Sequence, residues 1–480
     1  MGITILLYSV CFLVFMGVWY HSARCCLMVT PLLVYCIYEM CVSWPATIMG
    51  QITGLCGIGP SMVLGFSFLC FLFGFSVVTG KMPAREIVAY RNSRVIQETL
   101  PTVYSRAIFI MSCVLVALAI YYYEGVPPLL PTLLTLLRGG SNYAATIGSL
   151  SDAREQLTKG YYFGGVYRGQ GVVMEVLRTG WPFVTAVAFL VFLKTKKLRW
   201  LFAALTLVVL TEASVAGTGE REPAFRVLIY LLIGASIVLR VNSRGALIAG
   251  GVVFAAGMAV MPFSGTMLRL GKSNTKAADV SDAFVRRVAL GNGSHNIEMI
   301  NFLQSGALPY GYGRYHMEKA LTAIPGVTVG TPLALQLQRL RVNRRNDTTF
   351  ASMTYFGIIC ADFGYAGVPC VYFLIGCLVG WSHLYLYRTK KTILAIPIVT
   401  QITWVTSDLS AGSSISVVAS MVILVVFYLL FLRVFLFNAE IVDRFGWMRM
   451  VRNRWSRIGE ITAGPRRPRR VFLVPTRQRV

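Results

Sequence analysis

Runs of about 18 or more nearly uncharged residues recur along the whole chain, and they constrain its fold more than any other feature. A helix of that length crosses the hydrocarbon core. Backbone in lipid must also satisfy its own hydrogen bonds, so each run reads as a spanning helix. About eleven candidates stand out, near residues 2–20, 26–44, 57–79, 106–124, 174–193, 200–217, 223–240, 246–263, 364–387, 392–409 and 415–437. One further missed or half-inserted span would make about twelve. Composition agrees, at 56% hydrophobic and 14% charged with a mean hydropathy of +0.64. The short alternating strands of an outer-membrane barrel are absent. The expected fold class is an all-α, polytopic membrane protein.

A net charge of +25 would point to nucleic acid in a soluble chain. Here much of it falls in inter-helix loops and a basic tail, so no nucleic-acid partner is expected. The cysteines lie mostly inside apolar runs (Cys11, Cys36, Cys41, Cys70, Cys113, Cys360, Cys370, Cys377) without metal or redox spacing. They read as small membrane-compatible side chains, and no metal site or cofactor is expected. The first run lacks a basic leader and a clear cleavage site, which reads as a retained helix.

The short connections orient the bundle. Lys81, Arg85, Arg91, Arg94 and Arg106 populate one, and Lys194, Lys196, Lys197 and Arg199 another. Arg240 with Arg244, and Arg388 with Lys390 and Lys391, mark two more. The positive-inside rule assigns all four to the cytoplasm, which leaves Met1 and loops 45–56, 125–173 and 264–363 outside. Residues 1–437 are expected to form one integral membrane domain. Residues 438–480, with eleven arginines against three acids, form a cytoplasmic tail suited to anionic lipid headgroups.

The longest polar interval, Ser264 to Ser352, carries eleven Lys/Arg against five acids. Long loops translocate regardless of charge, so cations collected on the outer face suggest a local task. An anionic or sugar-bearing ligand fits; a solvated surface is the plain alternative. In the first outer loop, Arg154, Lys159 and Arg168 are interleaved with Tyr143, Tyr161, Tyr162, Phe163 and Tyr167. Aromatic faces can stack on sugar rings while guanidinium groups grip phosphate bidentately, although an interfacial aromatic belt would look the same. Gly217-Thr-Gly-Glu-Arg-Glu222 places Glu220, Arg221 and Glu222 at an outer helix edge, where they serve a cavity or simply form an exposed hairpin.

Two more places carry candidate chemistry. Arg314 and His316 stand among Tyr310, Tyr312 and Tyr315 in the central loop, with Arg286 and Arg287 upstream. Histidine is the side chain best suited to exchange a proton near neutral pH, though a loop histidine can equally be incidental. In Phe356-Gly-Ile-Ile-Cys-Ala-Asp-Phe-Gly-Tyr-Ala-Gly-Val368, Asp362 is an acid in an apolar stretch, which marks a functional candidate.

These segments together resemble bacterial oligosaccharide repeat-unit polymerases, the Wzy-type O-antigen polymerases. Tyr310-Gly-Tyr-Gly, followed by Ile324-Pro325, and Ala361-Asp-Phe-Gly-Tyr-Ala-Gly367 carry most of the resemblance, which covers roughly residues 106–385. Arg154 and Gly165 also match an Arg-x10-Gly pattern of a periplasmic loop in some members. A second copy of that pattern is absent, and Glu220-Arg221-Glu222 stands where many relatives have Arg-Gly.

The resemblance implies a GT-C-like polymerase or ligase architecture in the bacterial inner membrane, active on its extracytoplasmic face. It implies a metal-independent glycosyltransferase that takes undecaprenyl-pyrophosphate-linked repeat units into O-antigen, capsule or exopolysaccharide. A flippase and a chain-length regulator would be its partners. Arg154, Lys159, Arg168, Arg221 and Arg314, with Arg286 and Arg287, would meet pyrophosphate or glycan alongside Tyr310 and Tyr312. His316, Glu220 and Asp362 are the choices for general base. An O-antigen ligase and a lipid-linked oligosaccharide flippase remain alternatives. The near absence of charge within the spans favours an enzyme over a flippase.

Overall fold

The computed structural model describes residues 2–25, 30–52, 54, 56–80, 86, 89–90, 92–97, 101–127, 170–215, 222–239, 294–321, 333–342, 355–410 and 422–423. All of them lie in one compact unit, Met1–Val425. In chain order the helices are α1 (Gly2–Cys25), α2 (Pro31–Tyr38), α3 (Trp44–Ile52), α4 (Gly59–Thr79), α5 (Pro101–Tyr122), α6 (Gln170–Thr195) and α7 (Leu198–Val215). They continue as α8 (Glu222–Leu239), α9 (Ser294–Gln304), α10 (Arg314–Leu321), α11 (Leu333–Val342), α12 (Tyr355–Arg388) and α13 (Ala395–Ser410). Stretches within α4, α5, α6, α7 and α12 are long and apolar enough to cross a membrane. Among the described residues no sheet forms, and the one recorded isolated bridge joins Ile96 to Thr392. The chain is thus an all-α, multi-pass membrane protein. The runs expected at 246–263 and, apart from residues 422–423, 415–437 lie outside the described residues.

Two expected boundaries move for local reasons. The run at 26–44 begins at Pro31, where Thr30 Oγ1 caps Leu33 N at 3.2 Å and the proline occupies the first turn. Such a cap satisfies an otherwise orphan amide. The helix then continues past residue 44 through a π-helical turn, Glu39–Ser43, into α3. Pro45 reads as a stop, yet the helix runs on through it directly after the π turn. The run expected at 364–387 starts at Tyr355 instead, and Gly364 (φ 65°, ψ −171°) breaks it into two pieces.

The helices pack as two groups. α1 to α4 surround α12 with α9, α10 and α11, whereas α6 is the hub for α5, α7 and α8, and α13 touches both groups. The tightest pair is α4 with α12. A Cβ added at Gly74 would overlap the Phe373 carbonyl, and one at Gly376 would overlap the Phe71 carbonyl. Without a hydrophobic drive between helices in lipid, such close approach through small residues supplies the packing attraction. Gly376 meets Phe71 and Gly380 meets Phe75, so the two helices run in the same direction. Tyr35 stacks on Phe71 at 4.2 Å beside this seam. The outward face of α4 (Met62, Phe66, Leu69, Phe73, Val77) is exposed and apolar, as a lipid-facing stripe should be.

At one end of the bundle three of the basic connections meet. Ile96 N donates to Lys391 O at 2.8 Å, and Ile393 N donates to Ile96 O at 3.2 Å. Lys391 Nζ is buried against the Tyr90 and Ser93 carbonyls, both 3.4 Å away, and lies over the Tyr90 ring. Lys194 Nζ bonds Val95 O at 3.0 Å. Carbonyl lone pairs and a ring face offset the cost of burying an ammonium.

Candidate functional site

The break in α12 creates the site. In an unbroken helix the carbonyls of Ala361 and Asp362 would accept amides one turn further on. The φ 65° of Gly364 turns that next stretch away. The chain at 309–316 takes up the freed carbonyls: Gly311 N donates to Ala361 O at 2.9 Å and Tyr312 N to Asp362 O at 2.8 Å. This is how broken membrane helices re-satisfy their backbone.

The approach to Ala361 and Asp362 is steered by an unusual backbone. α9 closes through Gly306 (φ 75°), and Leu308 N returns to Phe302 O at 3.0 Å. Tyr312 (φ 51°) and Gly313 (φ 91°) then turn the chain into α10. A side chain at Gly311 would overlap the Asp362 carboxylate and the Tyr315 ring, so that position admits only glycine. Tyr315 Oη donates to Pro309 O at 3.0 Å and ties the start of the turn to its end.

Asp362 lies at the centre and is fully buried. Its Oδ1 accepts from Tyr315 N and its Oδ2 from His316 N, both at 2.9 Å. An acid from α12 therefore caps α10, at the positive end of that helix's dipole. Oδ2 also contacts His316 Nδ1. An ionised carboxylate only accepts, so Nδ1 carries the hydrogen, and in the neutral ring the lone pair then sits on Nε2. The His316 ring is walled by Tyr355, edge-on at 5.4 Å, and by Phe363 at 5.7 Å. Its side chain retains 21% exposure. The arrangement is an oriented imidazole with one basic nitrogen directed away from its carboxylate, a form suited to taking a proton from a hydroxyl.

Around this pair the surface is aromatic and cationic. Tyr312 is 84% exposed, Tyr310 and Phe363 are partly open, and the two tyrosine rings lie 6.4 Å apart. Arg314 is exposed and paired with Glu318 at 2.6 Å, a bond that raises the pKa of its guanidinium above the ordinary value. Burial raises that of the Tyr315 phenol, with the Arg314 charge opposing it.

Of the residues expected from sequence, His316, Asp362, Arg314, Tyr310 and Tyr312 gather here. Arg154, Lys159, Arg168, Glu220, Arg221, Arg286 and Arg287 lie outside the described residues. The sequence reading did not single out Phe363, Tyr355 or Gly311. Phe363 and Gly311 stand within the two quoted motifs, so only their geometry was unreadable. Among the described residues no three His, Cys, Asp or Glu side chains gather as a metal-holding group. No family model, curated protein or solved structure matches this chain.

Proposed function

We propose that the protein polymerises undecaprenyl-pyrophosphate-linked oligosaccharide repeat units at the outer face of the bacterial inner membrane, as a GT-C-like glycosyltransferase. One observation carries the reading. The segments 310–316 and 361–367, which resemble the polymerase family in sequence, meet around the His316–Asp362 pair. The gathering of basic connections at one end of the bundle supports an outward orientation for the loop that bears His316.

In this reading His316 Nε2 takes the proton of the acceptor hydroxyl at the non-reducing end of one lipid-linked repeat unit. The hydroxyl oxygen bonds to the anomeric carbon of the donor glycan. The bond from that carbon to the pyrophosphate oxygen breaks, and undecaprenyl pyrophosphate leaves with the electron pair. Asp362 holds the tautomer and balances the imidazolium that forms. Tyr310, Tyr312 and Phe363 offer ring faces to sugar. Arg314 stands beside His316 for the leaving pyrophosphate, with Arg154, Lys159, Arg168, Arg221, Arg286 and Arg287 as further cations of the same role.

The test is purified protein in detergent given its matching lipid-linked repeat unit and nothing else. Dimers and longer chains are expected, and His316→Ala should slow them by about 10²–10⁴-fold. A wild-type rate in His316→Ala would remove the base assignment. Movement of unchanged glycan across a vesicle membrane would identify a flippase, and activity only with a core-type acceptor a ligase.

A further inference from the structure

A second acid lies in the same helix group and plays no part in that chemistry. Glu39 opens the π-helical turn between α2 and α3 and is 2% exposed. Its Oε1 accepts from Tyr35 Oη at 3.1 Å and from Tyr372 Oη, on α12, at 3.0 Å. Its Oε2 is buried with no hydrogen-bond partner. Ser43 lies within hydrogen-bonding reach of the carboxyl, and its buried Oγ has no other partner. A wide π turn is a recurrent device for directing side chains into a functional site.

The charge balance is incomplete. Among the described residues no Lys, Arg or His bonds Glu39, and two phenol donors leave the net charge unchanged. A lone carboxylate in an apolar interior is strongly disfavoured unless a positive charge joins it. The side that is short of a partner presents two oxygens, Oε2 and Ser43 Oγ. Both are hard oxygens, suited to a proton or a small alkali cation, and the carboxylate charge repels an anion. The titratable groups in contact are Tyr35 and Cys36 on α2 and Tyr372 on α12, with Cys360 next to Tyr372. α1 contributes Tyr8 and Cys11 to the same core, and the described side chains of α13 include no titratable group.

We propose that Glu39 and Ser43, closed over by Tyr35 and Tyr372, form an internal binding site for one monovalent cation, a proton or sodium. The site is independent of the polymerase reading.

The experiment is thermal unfolding of the full chain in nanodiscs. Sodium chloride is titrated against choline chloride at constant ionic strength and several pH values, for wild type, Glu39→Gln and Ser43→Ala. A ligand that binds only the folded state raises Tm. Wild-type Tm should therefore rise with sodium, or with acidity when sodium is absent, and Glu39→Gln should lose that response. Ser43→Ala keeps the carboxylate but removes one oxygen, and its half-saturation should weaken by about tenfold if the ligand is sodium and move the opposite way if it is the proton. A sodium response that acid suppresses identifies sodium, and an acid response indifferent to sodium identifies the proton. The same responses in Glu39→Gln as in wild type, or no response in wild type, would overturn the site. If Glu39→Gln does not fold, an unchanged half-saturation in Ser43→Ala would do so.

Discussion

Asp362 and Glu39 are both buried carboxyls reached through α12, one in its broken upper part and one through Tyr372 below. They differ in what surrounds them. Asp362 receives two backbone amides and an imidazole, and every one of those donors is delivered by a segment far away in sequence. Glu39 receives two phenols from rigid helices and keeps one oxygen without a partner. The first carboxyl is consumed in positioning something else; the second has capacity left. Burial alone therefore does not say what an acid in a membrane protein does. The count and type of its donors does.

The comparison can be broken most directly at Asp362. Asp362→Asn keeps the size but turns an acceptor toward Nδ1 into a donor, so the tautomer is lost. Polymerisation measured with lipid-linked repeat units should fall by about 10²-fold or more. If the rate holds, Asp362 is only a helix cap, and its difference from Glu39 disappears.

Gly311→Ala tests the same carboxyl from the other side. The added methyl cannot fit between Asp362 and Tyr315, and overpacking of this kind costs about 1–3 kcal/mol. Unfolding followed by Tm should register it, together with a lower polymerisation rate.

Tyr372→Phe removes one of the two donors from Glu39 and should lower stability by about 0.5–1.5 kcal/mol. The polymerisation rate should stay near wild type, because the change lies on the other carboxyl. A rate loss as large as that of Asp362→Asn would mean that the two acids act as one unit.

The smallest effect is expected at Arg314→Lys. The guanidinium is exposed and already paired with Glu318, so Tm should not move. If it holds pyrophosphate bidentately, the rate should drop by about tenfold. An unchanged rate would make it surface decoration.

Much of the helical frame is legible in hydropathy. The runs at 57–79 and 174–193 return as Gly59–Thr79 and Gln170–Thr195. What hydropathy could not show is where a helix changes character without changing composition. The π turn at Glu39–Ser43 and the break at Gly364 both occur inside apolar stretches, and both decide where an acid points. Asp362 was singled out because it is an acid in an apolar run. Glu39 meets the same criterion, but its span reads as nearly free of charge. The meeting of His316 with Asp362 depends on carbonyls released by one glycine torsion, and no periodicity reports that. The two quoted motifs locate the partners but not the bonds between them.

The side-by-side seam of α4 and α12 also has a consequence for biosynthesis. Phe71 and Gly376 are near neighbours in space but far apart along the polypeptide, so this seam has a high contact order and closes late. While the ribosome is still extending the chain, the Gly74 face of α4 lacks its partner. Asp362 is made on the same helix that covers this face, so a nascent or truncated chain has neither the seam nor the carboxylate that orients His316. On the proposed reading, activity waits for the insertion of α12.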